Sequence, residues 1–265
     1  MTVPPPLPPP PAGTTPNLRH AWGGIWRLTW RRMLAPGRAL VALALLVAFG
    51  LLSAVATETG NTPGFVDWAI SFYLEALLPV AAFLSGAGAM RDDVKSTTVD
   101  YVLTRPVPRP VFVVFRFVAQ LVCAQAIGLL AFAALMATAM FRQLPDLTGL
   151  AGPFLLAQAL GITAFLALGF LCGALTSRYL VLGLLYGAIV EVGLGRIPIQ
   201  LNRLSILHHL RTLLQDVAPG VVTAHGHAPS WVTLGVLGLI SVTLLTLAAV
   251  RFAWQELAGD QPKDA

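Results

Sequence analysis

Residues 90–116 form a compact charged segment between two stretches that are nearly pure hydrocarbon. The segment reads MRDDVKSTTVDYVLTRPVPRPVFVVFR, and it holds five of the 17 basic and three of the 12 acidic residues of the chain. Carboxylates and guanidinium groups so closely spaced can dock a charged partner, or they can simply keep a loop in water. The residues alone leave both interpretations open.

Signals for other chemistry are weaker. His208–His209 and the pair His225 and His227 could bind a metal ion, but no cysteine lies near them and no carboxylate has ligand spacing, so solvent-facing histidines are preferred. Neither lysine, Lys95 or Lys263, belongs to a phosphate-binding loop. We therefore expect no catalytic residue, no bound cofactor and no metal site.

The composition indicates a membrane protein. Of the 265 residues, 56% are hydrophobic and only 11% are charged, whereas a soluble domain carries about 25% charged residues. Much of the surface must therefore face lipid. The net charge of +5 is spread over the gaps between apolar runs, which argues against nucleic-acid binding and favours membrane topology.

The apolar runs predict an all-α integral membrane protein with six transmembrane helices in a domain at 39–250. The fifth span is the weakest because it is short, contains Glu191 and is rich in glycine. The predicted spans are about 39–57, 68–89, 117–140, 153–175, 179–195 and 231–250.

The distribution of basic residues orients the helices. With a cytoplasmic N-terminus, thirteen of the 17 basic residues fall on the cytoplasmic side. Six spans then place both termini in the cytoplasm, including a tail at 251–265. We expect a multi-pass protein of the cell membrane.

The N-terminal region has two parts. Residues 1–17 form a proline-rich tail that we expect to be disordered, as a spacer or as a ligand for a partner domain. Residues 18–34 repeat tryptophan every four positions, at Trp22, Trp26 and Trp30, with arginines elsewhere on the wheel. Tryptophans on one helix face and arginines on the others predict an amphipathic helix lying at the membrane interface.

Within the charged segment, RDDVKSTTVDYVL has no proline or glycine and can form a short helix. Pro106, Pro108 and Pro110 should end that helix and continue as a stiff, extended connector. A short helix held parallel to the membrane, with its charges towards the cytosol, would be a docking surface.

This segment resembles the permease subunits of ABC-2 type exporters. Between helices two and three these permeases carry an acidic residue and then roughly G-T-L-E-x-L-L-x-R-P-V-x-R. Here the equivalent residues are Asp93 and, at 97–109, TTVDYVLTRPVPR, with Thr97 where the family usually has glycine. Glu191 and the following RIPIQLNRLSILHHL are also similar to one branch of these permeases.

The resemblance implies a half-transporter without enzymatic activity of its own. The segment 90–110 would be the coupling helix that inserts into a separate ATP-binding subunit, and that subunit would bind the ATP. The permease would pair with a second copy or a homologue, and short helices would lie in the outer leaflet between helices five and six, near 196–217. The implied partner-coupling residues are Asp93, Thr98, Asp100, Arg105, Pro106 and Arg109.

Two acidic residues fall inside predicted spans. Glu75 and Glu191 are costly in lipid, so each should face the bundle interior, a partner or water. A structural role, neutral or paired with Arg196 or Arg203, is preferred to a substrate contact. Three glutamines in the spans should hydrogen-bond between helices. They are Gln120, Gln125 and Gln158.

Two other classes of protein remain alternatives. A membrane anchor or assembly subunit that transports nothing would have the same hydrophobic pattern. An intramembrane enzyme is less favoured, because the sequence lacks nucleophile and metal motifs.

Overall fold

The fold is helical throughout the part of the chain that the structure, a computed structural model, describes. Within that part there is no β-strand, as expected of an all-α protein. The described residues are 18–95, 108–144, 148–193, 205–215 and 230–259.

Two of the helical elements are π-helices, in which one extra residue per turn shifts the direction of the side chains. We label the helices in chain order. They are α1 (Leu18–Met33), α2 (Pro36–Ala56), α3 (Thr62–Trp68), π1 (Ala69–Leu77), α4 (Leu78–Lys95), α5 (Arg109–Phe141), α6 (Thr148–Leu175), α7 (Tyr179–Tyr186), π2 (Gly187–Gly193), α8 (Ile206–Gln215) and α9 (Ser230–Gly259).

Five of the described helical segments are long and apolar enough to cross a membrane, by length and composition. They indicate a multi-pass membrane protein. The segments are Ala39–Ala56, Thr62–Asp93, Arg109–Phe141, Gly149–Leu175 and Trp231–Trp254.

The predicted fifth span differs from the other five. The apolar helix there, Tyr179–Glu191, is shorter than a spanning helix, and it changes from α- to π-geometry at Gly187. The six-span arrangement is therefore not reproduced among the described helices. Glycine, which favours helix less than other residues except proline, recurs at Gly183, Gly187 and Gly193.

The centre of the bundle is a close contact between α4 and α6. A methyl group at Gly169 would lie 2.3 Å from the Phe83 carbonyl oxygen, and one at Gly173 would lie 2.7 Å from the Ala87 carbonyl oxygen. Only glycine permits this approach of two backbones, a recurrent way to pack helices in membranes. The spanning part of α6 is 67% buried, whereas that of α2 is 11% buried, so α2 lies at the periphery.

The N-terminal helix α1 packs along α5 rather than standing apart from the bundle. The rings of Trp22, Trp26 and Trp30 follow one another at 5.6 and 6.0 Å, and Trp22 meets Phe115 of α5 edge-on at 5.0 Å. The helix continues without interruption through Gly23 and Gly24.

Proline marks the start of two helices. Pro36 opens α2, directly after the break that ends α1, and Pro110 lies in the first turn of α5. The missing amide donor of proline costs nothing in a first turn. The extended connector predicted to include Pro110 was therefore wrong at that residue, since α5 has already begun at Arg109.

Candidate functional site

Asp93, at the end of α4, is the centre of a buried charge network. Its Oδ1 accepts a hydrogen bond from Nη1 of Arg32 (2.8 Å), and its Oδ2 accepts one from Nε of Arg116 (2.6 Å). Arg116 is only 3% exposed and Asp93 is 5% exposed. One carboxylate therefore joins α1, α4 and α5.

Polar contacts around this carboxylate strengthen the connection. Nη1 of Arg116 donates to Oγ1 of Thr29, whose hydroxyl donates to the Ile25 carbonyl oxygen (2.8 Å). One turn further along α5, Nε2 of Gln120 donates to Oγ of Ser85 on α4 (2.6 Å). Helix α1 is thus tied to the two helices that flank residues 96–107.

The predicted partner-coupling residues divide into two groups. Asp93 is buried at the end of α4, and Arg109 is the half-buried first residue of α5. The other four lie outside the described residues. They are Thr98, Asp100, Arg105 and Pro106.

Sequence reasoning placed Asp93 on a partner surface and missed its two arginine partners within the chain. The sequence did contain a signal for this pairing, because Arg116 is a charged residue directly before the apolar run of the third span. Such a charge needs a counter-ion, and a nearby acidic residue was the natural candidate.

A second charge network involves α8, and its first contact is between Glu75 of π1 and Arg211. Nε and Nη2 of Arg211 each donate to one carboxylate oxygen of Glu75, the two-bond arrangement that suits arginine and a carboxylate. The side chains are 16% and 23% exposed. Hydrogen bonding to Glu75 raises the pKa of Arg211 above its usual value, so the guanidinium stays charged.

Glu191 of π2 holds the other end of α8. Its carboxylate accepts the backbone N–H groups of Ile206 and Leu207, both at 3.1 Å, and the hydroxyls of Tyr186 (2.8 Å) and Ser205 (2.6 Å). The first N–H groups of a helix lack partners within the helix and carry partial positive charge. Glu191 therefore acts as a helix cap donated by a different element.

Ser205 completes that cap. Its Oγ accepts the backbone N–H of His208 at 3.0 Å while its hydroxyl donates to Glu191. Three successive amides at the start of α8 are thereby satisfied by Glu191 and Ser205 together. This is an N-terminal cap made by two buried side chains.

Glu75 pairs with Arg211, a partner that the sequence analysis did not suggest. Arg196 and Arg203, the two arginines that it did suggest, lie outside the described residues. The first signal that sequence reasoning could have used is the helical pattern of ILHHLRTLLQ. It places Arg211 on the more polar side of a short amphipathic helix.

The glutamines bond between helices as expected. Tyr73 of π1 donates its hydroxyl to Oε1 of Gln158 on α6 (2.7 Å), and Nε2 of Gln125 on α5 donates to the Ala159 carbonyl oxygen (2.9 Å). These bonds, with Thr163 beside Gln125, form a polar seam between α5, α6 and π1.

The histidines do not form a metal centre in the part of the chain that the structure describes. His208 and His209 lie on α8 with their rings edge-on at 5.5 Å, and His225 and His227 lie outside the described residues. Over the described ranges, no group of three or more histidine, cysteine, aspartate or glutamate side chains is placed to hold a metal ion. No protein-family model matches the chain, and no curated protein matches it.

Proposed function

We propose that this chain is the permease subunit of an ABC-2 type exporter. In this proposal it forms the membrane pathway with a second copy or a homologue. A separate ATP-binding subunit binds the ATP and docks on the cytoplasmic segment 90–110. Asp100 and Arg105 contact that subunit directly, while Asp93 holds the segment in place.

The Asp93 network is the observation that supports this function. Both helices that flank residues 96–107 are fixed to each other by a buried ion pair, and to α1 by a partly buried ion pair and a hydrogen bond. A docking segment can transmit a push from a partner only if its ends are attached to rigid elements. A loop whose role is only to stay in water needs no such attachment.

The test is charge reversal within the segment. Asp100→Arg and Arg105→Glu should remove the ATP-binding subunit on affinity purification from membranes in mild detergent. They should also abolish ATP turnover of the purified material. Losing one partner of a docked, desolvated ion pair costs about 2 to 5 kcal/mol, whereas an exposed pair contributes about 0 to 1 kcal/mol.

Arg178→Glu is the matched control, because Arg178 is an exposed residue in the turn before α7. It should keep both the partner and the turnover. If both segment variants also keep them, the segment is only a solvated loop and the proposal fails. If the partner stays bound but its ATP turnover never depends on the permease, the membrane-anchor alternative is favoured.

A further inference from the structure

The two ends of α8 are held in unequal ways. At the start of the helix, Glu191 and Ser205 satisfy three successive backbone amides, and Glu191 is buried. Further along, Arg211 is held by Glu75 through one ion pair that is partly exposed. Beyond it, Oε1 of Gln215 is buried without a hydrogen-bond donor among the described residues.

The inner face of α8 covers a notch in α6. The side chain of Leu210 fits over Gly161, where a methyl group would lie 3.0 Å from one of its Cδ atoms. Leu210 is almost completely buried, together with Ile206 and Leu214. The polar seam begins one helical turn away along α6, at Gln158.

We propose that α8 is a hinged lid over the polar seam, with Glu191 as its pivot and the Glu75–Arg211 pair as its latch. Opening the latch lets the C-terminal part of α8 lift from Gly161, while the capped N-terminus stays in place. The latch is the weaker restraint because it is one partly exposed ion pair, whereas buried groups satisfy three backbone amides at the other end. This inference concerns the chain by itself and does not depend on an ATP-binding partner.

The geometry of π1 fits this role. A π-turn adds one residue to the turn, so it aims Glu75 away from the direction that a regular α-helix would give it, and here it aims Glu75 at α8. Glu191 also lies in a π-helical segment. Both carboxylates that restrain α8 therefore come from π-helical segments that directly follow an α-helix.

The experiment measures access to the buried side of the lid. Leu210→Cys places a thiol under α8, and labelling of the whole purified protein with a water-soluble maleimide is followed residue by residue by mass spectrometry. The native Cys123 and Cys172 are buried and report whether the bundle stays folded. With the latch intact, the thiol at position 210 should react slowly.

Glu75→Gln or Arg211→Gln, each added to Leu210→Cys, should speed labelling at position 210 by about tenfold, between the effects of an exposed and a buried ion pair. Labelling of Cys123 and Cys172 should not change. The double change Glu75→Gln with Arg211→Gln should label no faster than the faster single change, because both remove one and the same pair. Glu58→Gln, an exposed carboxylate outside the network, is the control and should have no effect.

A second variant opens the lid without changing charge. Gly161→Phe fills the notch beneath Leu210, so here the thiol is placed at the equally buried Leu214 by Leu214→Cys. On our proposal Gly161→Phe raises labelling at position 214 with Leu210, Glu75 and Arg211 unchanged. The proposal is overturned if the latch variants leave labelling at position 210 unchanged. It is equally overturned if all three thiols become reactive together, since α8 would then move only when the whole bundle unfolds.

Discussion

Glu75 and Asp93 lie on one continuous helical segment, roughly 27 Å apart along its axis at 1.5 Å per residue. That separation is close to the thickness of the hydrocarbon core of a bilayer, about 30 Å. The same segment therefore carries both charge networks, with Asp93 at its C-terminal end and Glu75 nearer its middle. A movement of this helix at Asp93 would reach the contact with α8 through a rigid element.

The first prediction concerns the Asp93 network and stability. Asp93→Asn leaves the buried guanidinium of Arg116 without its counter-ion, so it should lower the free energy of unfolding by about 3 to 5 kcal/mol. Arg116→Gln should cost less, because Asp93 keeps its ion pair with Arg32. Arg32 is more exposed, and Arg32→Gln should cost clearly less. Thermal unfolding of the purified protein in detergent provides the measurement.

Asp67→Asn is the control for these variants, because it removes an exposed carboxylate from α3 without touching the network. Its unfolding temperature should match that of the native chain. Equal stability of Asp93→Asn and Asp67→Asn would mean that the Asp93 carboxylate is not an energetic centre of the fold.

The second prediction concerns the backbone contact between α4 and α6. Gly169→Ala places a methyl group 2.3 Å from the Phe83 carbonyl oxygen, so the helices must separate or shift. We expect a loss of about 1 to 3 kcal/mol, the range for overpacking a well-packed core. Unfolding in a denaturing detergent, followed by loss of helical circular dichroism, measures it.

For Gly238→Ala on α9 we expect no loss of stability. A methyl group there meets no other atom within 4 Å, and alanine favours helix over glycine. This variant should be neutral or slightly stabilising. A similar loss of stability in both variants would show that the close helix contact at Gly169 does not contribute more to stability than an open position.

The third prediction concerns topology. Thirteen of the 17 basic residues fall on the side assigned to the cytoplasm, which predicts that both termini are cytoplasmic. The chain must then cross the membrane once more between α6 and α9. A fluorescent protein fused after Ala265 should therefore fold and fluoresce, whereas alkaline phosphatase fused there should be inactive. The reverse pattern would make the short helix Tyr179–Glu191 a segment that does not cross.

The long apolar runs of the sequence predict most of the spanning helices, because a helix that crosses lipid must be apolar along its length. Residues facing hydrocarbon must be apolar for about 20 positions, so the long helices are visible as runs of sequence. The tryptophan repeat in α1 was visible because its spacing matches the turn of a helix. The apolar runs do not show which helices pack against each other. The contact at Gly169, for example, joins two backbones that are far apart in the chain.

The charge networks were less accessible to sequence reasoning than the helices. Asp93 was recognised as notable, but its pairing with Arg32 and Arg116 depends on where α1 and α5 pack. Glu75 and Glu191 were recognised as costly charges in lipid, yet α8 was not recognised as their common partner. The direction of each carboxylate is set by a π-turn, and no simple residue pattern in this chain marks one.

The last prediction tests the cap that Glu191 supplies to α8. Glu191→Gln keeps one acceptor oxygen and replaces the other with an NH2 donor, so two of the four hydrogen bonds at this carboxylate are lost. One of them belongs to a backbone amide, that of Ile206 or of Leu207. The negative charge next to the helix N-terminus is lost as well.

Hydrogen–deuterium exchange of the peptide covering 205–215 gives the readout. A lost hydrogen bond to a charged group is worth about 1.5 to 3 kcal/mol, so exchange at the start of α8 should accelerate by at least about tenfold. Peptides from α4 and α6 should keep their protection, because the Gly169 contact is untouched. Glu58→Gln, which changes an exposed carboxylate before α3, should leave α8 as it is. Unchanged protection of α8 in Glu191→Gln would mean that Ser205 and the packing of Leu210 hold the helix without Glu191, and the pivot would have to be placed elsewhere.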